Sequence, residues 1–199
     1  MVQPHSLNAE AAARKLQVKE VTAARWGDFE KLFEARGSPG YCYCMAWRAS
    51  SKDPGSGTRK GRKSMMKRGI ELGVPVGLLG YVDEEPVAWC SLAPFDTFRG
   101  LRKTDEPTDS IWSITCFFVR REQRGLGYTR QLLDAAVRHA RKHGARVVEA
   151  YPVDPDSPSY RFMGFVSLFK GAGFTETGRV GTRRHVMQLP TRRPAAKKA

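Results

Sequence analysis

The chain has 199 residues, 41% hydrophobic and 10% aromatic, with a formal net charge of +14 at pH 7. That length can bury a proper core in one globular domain, and the composition excludes fibrous and low-complexity classes. No apolar run approaches the ~20 residues that span a bilayer, and the first residues (MVQPHSLNAEAAARKL) lack the basic-then-apolar pattern of a secretion signal, so a cytoplasmic protein with no membrane partner is expected.

In chain order, residues 1–14 are expected to be a flexible N-terminus. Leu16 to Thr22 alternates and reads as a first strand. Thr22 is placed to cap a helix over Ala23–Arg36, where Trp26, Phe29, Leu32 and Phe33 recur at helical spacing. Gly37-Ser38-Pro39-Gly40 breaks it. Tyr41 to Arg48 (YCYCMAWR) then packs three aromatics, two cysteines, a methionine and an arginine into eight residues. Such a segment is either a buried plug at one end of the core or a wall of a small-molecule pocket, since aromatics with a few polar groups line most such sites.

Residues 50–61 are a loop by composition, and a second helix is predicted from about Thr58 to Glu71. Val76–Val82 and Glu85–Leu92 form a hairpin around Asp83-Glu84, because a two-residue gap fits a tight antiparallel turn. Residues 95–108 cross back as a polar, basic loop. Ser110–Val119, rich in β-branched and aromatic residues, suits a buried strand. A helix from Tyr128 places Leu132, Leu133, Ala136, Val137 and Ala140 on one side and ends at Gly144. Arg146–Val153 is a strand, 154–160 a loop, and Phe162–Ala172 a helix. Thr175–Val180 and Arg184–Leu189 pair as the last strands, and 191–199 is a basic, disordered tail. No internal repeat is visible.

The positive charge concentrates in residues 52–68, 120–124 and 191–199. It attracts polyanions in general: coenzyme A, nucleic acid or an acidic protein. The four cysteines, at 42, 44, 90 and 116, include one C-x-C pair but no zinc-type spacing. They are expected to be reduced thiols, with Cys90 and Cys116 in the core, and no metal is expected.

The chemistry is expected at Arg120–Thr129. Gly125 and Gly127 let the backbone approach a ligand and point several N–H groups the same way. The helix opening at Tyr128 adds unpaired N–H groups and the positive end of its dipole. Together these cradle a phosphate or pyrophosphate, and Arg120, Arg121 and Arg124 deepen the potential. The dinucleotide fingerprint fails because its third glycine is Arg130 here, and the nucleoside-triphosphate loop is absent.

The run Arg124-Gly125-Leu126-Gly127-Tyr128-Thr129, after Phe117-Phe118-Val119 and before a Leu-Leu helix, resembles the acyl-CoA signature of the GNAT N-acetyltransferase superfamily, Arg/Gln-x-x-Gly-x-Gly/Ala. Arg124 and Gly127 match; Thr129 departs from the usual Gly or Ala. The element order β-α-α-β-β-β-α-β-α-β-β is also the family's. The resemblance covers about residues 15–190 as a single domain. It implies an α/β (α+β) acyl-CoA N-acyltransferase fold, with a mixed, mostly antiparallel sheet of about seven strands flanked by about four helices and splayed at its two central strands. It implies acetyl-CoA as co-substrate, gripped by residues 124–129 and pairing along Phe117, Phe118 and Val119. It further implies that the 41–48 segment, with Tyr41, Tyr43 and Trp47, forms a wall for an amine acceptor on a small molecule or protein.

Acyl transfer to an amine needs a route for the amine proton, a donor for the oxyanion and an acid for the leaving thiolate. Family members often place a tyrosine four residues before the Gly-Phe that follows the last helix; Phe169 stands there, with no proton to give. Tyr160 and Tyr151 are stand-ins, Tyr160 being the choice. Glu149, mid-strand beside the expected cleft, is the candidate base, since a charge there is expensive unless used or paired. The histidines are poorly placed, with His139 and His143 expected on the exposed side of the main helix.

The leading function is therefore an acetyl-CoA-dependent N-acetyltransferase acting by direct attack, as a monomer or homodimer. A catalytically degenerate acyl-CoA-binding module is the alternative. A basic nucleic-acid-associated protein is the third reading, ranked below both because the basic residues are scattered among loops and tail with no reading motif.

Overall fold

The computed structural model describes residues 15–104 and 107–191, so the expected flexible N-terminus (1–14) and all but the first residue of the basic tail (191–199) lie outside the described residues. Among these, one seven-stranded sheet runs in the order β1-β2-β3-β4-β5-β7-β6. The strands are β1 (Gln17–Glu20), β2 (Gly77–Val82), β3 (Glu85–Pro94), β4 (Ile111–Val119), β5 (Val147–Ala150), β6 (Thr175–Val180) and β7 (Arg184–Pro190). The α-helices are α1 (Trp26–Glu34), α2 (Arg59–Glu71), α3 (Tyr128–Lys142) and α4 (Val166–Gly171). The element order is the one read from the sequence. Every neighbouring pair of strands is antiparallel except β4 and β5.

Local chemistry accounts for the boundaries. Thr58 is extended, and its hydroxyl accepts from the Gly61 amide at 3.0 Å, capping α2. Asp83 and Glu84 both have positive φ, 47° and 66°, the signature of the two-residue turn that matches strand twist. Two expectations are corrected. Thr22 makes no side-chain cap; a 3₁₀ turn over Ala23–Arg25 precedes α1 instead. The helix expected over Phe162–Ala172 is split into a 3₁₀ turn, Arg161–Met163, and α4. Gly164, at φ 88°, separates them, and its carbonyl accepts from the Val153 amide at 3.0 Å. The apolar pattern that looked helical is thus shared by a turn and a short helix.

Both faces of the central strands are buried, which is why β3 and β4 read as near-continuous apolar runs. On one face Leu132, Leu133, Ala136 and Ala140 of α3 pack on Leu78, Cys90, Leu92, Ile114 and Val148. On the other, Phe29, Leu32 and Phe33 of α1 and Met66 and Ile70 of α2 pack on Leu79, Tyr81 and Trp89. A third cluster, with Phe98, Leu101, Tyr151 and Met163, lies at the β5–β7 end.

The β4–β5 register runs only from Ile111↔Val147 to Ile114↔Ala150, while β4 continues to Val119. Beyond Ala150 the chain leaves the sheet partner and bridges Phe165 through Val153. On its other side β4 carries a bulge: Ser91 pairs with Cys116 and Leu92 with Ile114, leaving Thr115 as the extra residue. The central strands therefore splay where the sequence resemblance requires.

A Cβ at Gly164 would sit 2.9 Å from the Phe169 ring, on a backbone that L-residues rarely adopt. Gly164→Ala is expected to lower stability by about 1–3 kcal/mol, read as a lower urea midpoint at unchanged slope.

Candidate active site

Three features meet around the splay. The first is the start of α3. Gly127 is its N-cap residue, left-handed at φ 74°, with Gly125 at φ 81° before it. A Cβ at either would meet nothing within 4 Å, so these glycines serve backbone conformation and leave open space above the turn. Among the described residues, the amides from Gly125 to Thr129 donate to no backbone carbonyl; the first pairing is Arg130 to Gly127 at 3.1 Å. Five successive unpaired N–H groups at the positive end of a 15-residue helix form an anion cradle. Arg124 Nε donates to the Val119 carbonyl at 3.0 Å, closing the turn onto β4. The Tyr128 and Leu126 side chains belong to the core cluster under α3, so these two residues can serve a ligand through their amides.

The second feature is an apolar cavity of about 200 Å³ between the 41–48 segment and the unpaired half of β4. Tyr41, Trp47, Phe117 and Phe118 line it, with Cys42, Cys44, Thr115, Cys116 and Phe162. Tyr41 stands exposed at its edge. Tyr43 is a correction: with φ 46° it turns away into the core, stacks on Phe33 and donates to Glu34. The turns of the segment, with positive φ at Tyr43 and Cys44, decide which of its side chains reach the cavity. Arg48 pins the segment to the sheet, donating to the Val76 carbonyl at 2.9 Å while its guanidinium lies over Phe98. Burial without a carboxylate lowers its pKa to about 10.

The three cavity cysteines are free thiols. The Cys42 and Cys44 thiols are pushed well up, Cys42 chiefly by its hydrogen bond with Cys44 and then by burial, Cys44 chiefly by its contact with Cys116. They stay protonated and act as small apolar lining.

The third feature is a buried polar network on the floor of the splay. Glu149, 0% exposed, receives Arg102 in bidentate fashion at 3.1 and 2.9 Å, Gln188 Nε2 at 2.6 Å and the Tyr151 hydroxyl. Burial and the adjacent carboxylate push the Tyr151 phenol well up, so it donates as a neutral hydroxyl. Both Glu149 oxygens are occupied, and the side chain does not line the cavity. Tyr160 has φ 61° and leans on Trp47, with ring centroids 5.9 Å apart and the Arg184 guanidinium 5.4 Å from its ring. It stands behind two cavity walls, Trp47 and Phe162. Phe169 is fully buried between Phe117 and Phe174.

The acetyltransferase (GNAT) family model matches residues 45–165. The chain belongs to the GNAT acetyltransferase family. Comparison with curated protein sequences gives no match. Among solved structures, the chain is similar to the ribosomal-protein-alanine N-acetyltransferase from Brucella melitensis, at 19% identity and TM-score 0.54 over 88% of this chain and 99% of that one. It is similar to an N-acetyltransferase from Staphylococcus aureus Mu50, at 11% identity and TM-score 0.56 over 89% and 99%. It is also similar to AAC(6')-Ib in complex with paromomycin and acetyl-CoA, at 14% identity and TM-score 0.60 over 88% and 93%. At such identities the likeness carries the fold: the GNAT sheet, its splay and its helices.

Sequence reasoning missed Arg102 and Arg184. Both are basic residues in a chain full of them, and nothing in their neighbours marks which will meet a carboxylate or an aromatic ring. The buried glutamate in β5 was a signal that some cation must be near, though not which. Truncating Arg102 to Ala leaves the Glu149 charge uncompensated and is expected to cost about 3–5 kcal/mol. The double variant Arg102→Met/Glu149→Leu should recover most of it in the same denaturation experiment.

Proposed function

We propose that this GNAT protein transfers an acetyl group from acetyl-CoA to a primary amine carried on a small apolar or aromatic body, by direct attack in a ternary complex. The observation that carries the reading is that one strand serves both features: Phe117 and Phe118 of β4 line the cavity, and the turn of the cradle is tied to the end of the same strand by the Arg124 bond to the Val119 carbonyl at 3.0 Å. The coenzyme diphosphate would sit on the amides of residues 125–129. Arg120, Arg121 and Arg124 supply positive potential. The thioester arm would lie along the unpaired edge of Phe117–Val119, where a backbone N–H can face the developing oxyanion.

No carboxylate is among the described residues that line the cavity. An ammonium entering it would lose hydration with no compensating charge, so the neutral amine is the form admitted. Its proton stays with water at the mouth, and no dedicated base is needed. This is why Glu149, held by Arg102, is assigned a positioning role, fixing the floor under the splay rather than accepting the proton. The amine nitrogen attacks the thioester carbon, its surplus proton passes from the tetrahedral intermediate to water at the mouth, the oxyanion collapses as the C–S bond breaks, and the departing thiolate takes a proton from a neighbouring hydroxyl that water then re-protonates. Tyr160 is the hydroxyl we assign to that last step. Phe169, in the place of the usual family tyrosine, favours a second reading: a module that binds acyl-CoA without turnover.

Thiol release from acetyl-CoA across an amine panel separates the two. Arylalkyl amines should turn over and aminoglycosides should not, with kcat/KM rising with pH up to the pKa of the amine. Tyr160→Phe should lower kcat at least about 10-fold, and Glu149→Gln should leave the shape of the pH profile unchanged. Coenzyme binding without turnover on any amine would establish the second reading. Gly127→Glu places a carboxylate in the cradle and is expected to weaken coenzyme A binding at least 10-fold by calorimetry; unchanged binding would remove the basis of both readings.

A further inference from the structure

The far end of α3 carries a separate constellation. His139 and His143 are four residues apart, so they share one helix face. Contrary to expectation, that face is covered in part. The two rings stack with centroids 4.1 Å apart, and Trp112 of β4 packs against both, at 5.7 and 5.6 Å. Glu20, the last residue of β1, meets them, with its Oε1 4.0 Å from His139 Nε2. One donor atom from each of the three residues lies within 4.8 Å of the other two.

The tautomers suit a ligand. His143 Nδ1 lies 2.9 Å from the His139 carbonyl oxygen. A carbonyl only accepts, so in the neutral ring Nδ1 is the protonated nitrogen and Nε2 the one with a lone pair to offer. A ring N–H donated to a backbone carbonyl is the usual outer support of a metal-bound imidazole. The site also sits at the negative end of the helix dipole, which favours a cation.

We propose that Glu20, His139 and His143 bind a borderline divalent transition metal of the Zn²⁺ class, linking the edge strand β1 to the end of α3. Two imidazoles and one carboxylate suit such an ion. Hard cations such as Mg²⁺ want more oxygen ligands than one glutamate offers, and the nearby Lys142 charge weakens a purely electrostatic site. Tetrahedral ligation at ~2.0–2.2 Å needs donor atoms ~3.4 Å apart. Ligation therefore requires the Glu20 and His143 side chains, neither of which is buried, to turn toward His139 from the present stacked arrangement. A groove of about 880 Å³ between β1 and α3 reaches Glu20 and His139 and gives the ion an aqueous approach. Twelve residues of helix separate His139 from Gly127, about 18 Å, so acyl transfer does not run through the site. Its role is mechanical: β1 has four residues and one strand neighbour, with the Leu16 amide tied to Gln131 at 2.8 Å just before it.

The test uses the untagged, full-length protein. Titration calorimetry with ZnCl₂ should give one site per chain, and MgCl₂ no heat. Zn²⁺ should raise the thermal midpoint. His143→Gln and Glu20→Gln, both at positions that are not buried, should each weaken Zn²⁺ binding at least 10-fold and abolish the midpoint shift, while leaving acetyl transfer and the metal-free midpoint unchanged. Co²⁺ should quench the fluorescence of Trp112, a quench absent from His143→Gln. No Zn²⁺ binding by the parent chain, or binding that survives unweakened in both variants, would overturn the proposal.

Discussion

The structure depends on a parallel pairing that stops early. β4 and β5 pair over four register positions, and then β4 continues for five residues without β5, paired only with β3 on its other side. A sheet edge in the middle of a domain is expensive if nothing occupies it, because unpaired backbone groups lose water without gaining partners. This protein makes that edge usable. The bulge at Thr115 bends β4 away from β5, the hydroxyl of Thr115 donates to Ser91 at 2.9 Å, and the chain after Ala150 is drawn off to Phe165 and Gly164. The gap is therefore held open from both sides.

What surrounds the gap divides by polarity. Below it, Glu149, Arg102, Tyr151 and Gln188 satisfy one another in a dry setting, an arrangement that is stable only while all members are present. Beside it, the 41–48 segment offers rings and protonated thiols with no charge among them. Above it, the α3 turn offers bare amides and positive potential. A thioester carrier has a matching order of parts, with an anionic diphosphate, a hydrogen-bonding arm and a small apolar acyl group. The match is chemical as well as geometric, and family membership gives it a precedent. The cavity differs from the cradle in that no charged side chain is among its described lining residues; under the proposed reading, selection of the acceptor would fall to shape and desolvation.

The same helix that opens the cradle closes on the histidine pair. Its N-terminus presents free amides and its C-terminus the two imidazoles, and the helix dipole favours an anion at the first and a cation at the second. Between them runs the apolar stripe that fastens α3 to the sheet. The helix is thus the rigid member on which two chemically opposite ends are mounted.

The sequence by itself determined the elements and the cradle. Strand runs, the Asp83-Glu84 turn and the glycines at 125 and 127 are set by local sterics and periodicity, which act over a few residues and are legible in one dimension. The family resemblance rested on the same local signals. Tertiary structure decided everything that depends on which side chains converge from afar. It sent Tyr43 into the core while Tyr41 and Trp47 face the cavity, because two residues with positive φ reverse the segment. It paired Glu149 with Arg102, 47 positions away, and brought Glu20 to His139 across the sheet edge. It broke the expected last helix at Gly164, where a backbone bond to Val153 outweighs helical continuation. Such contacts follow from the packing of the sheet, whose register no local pattern encodes.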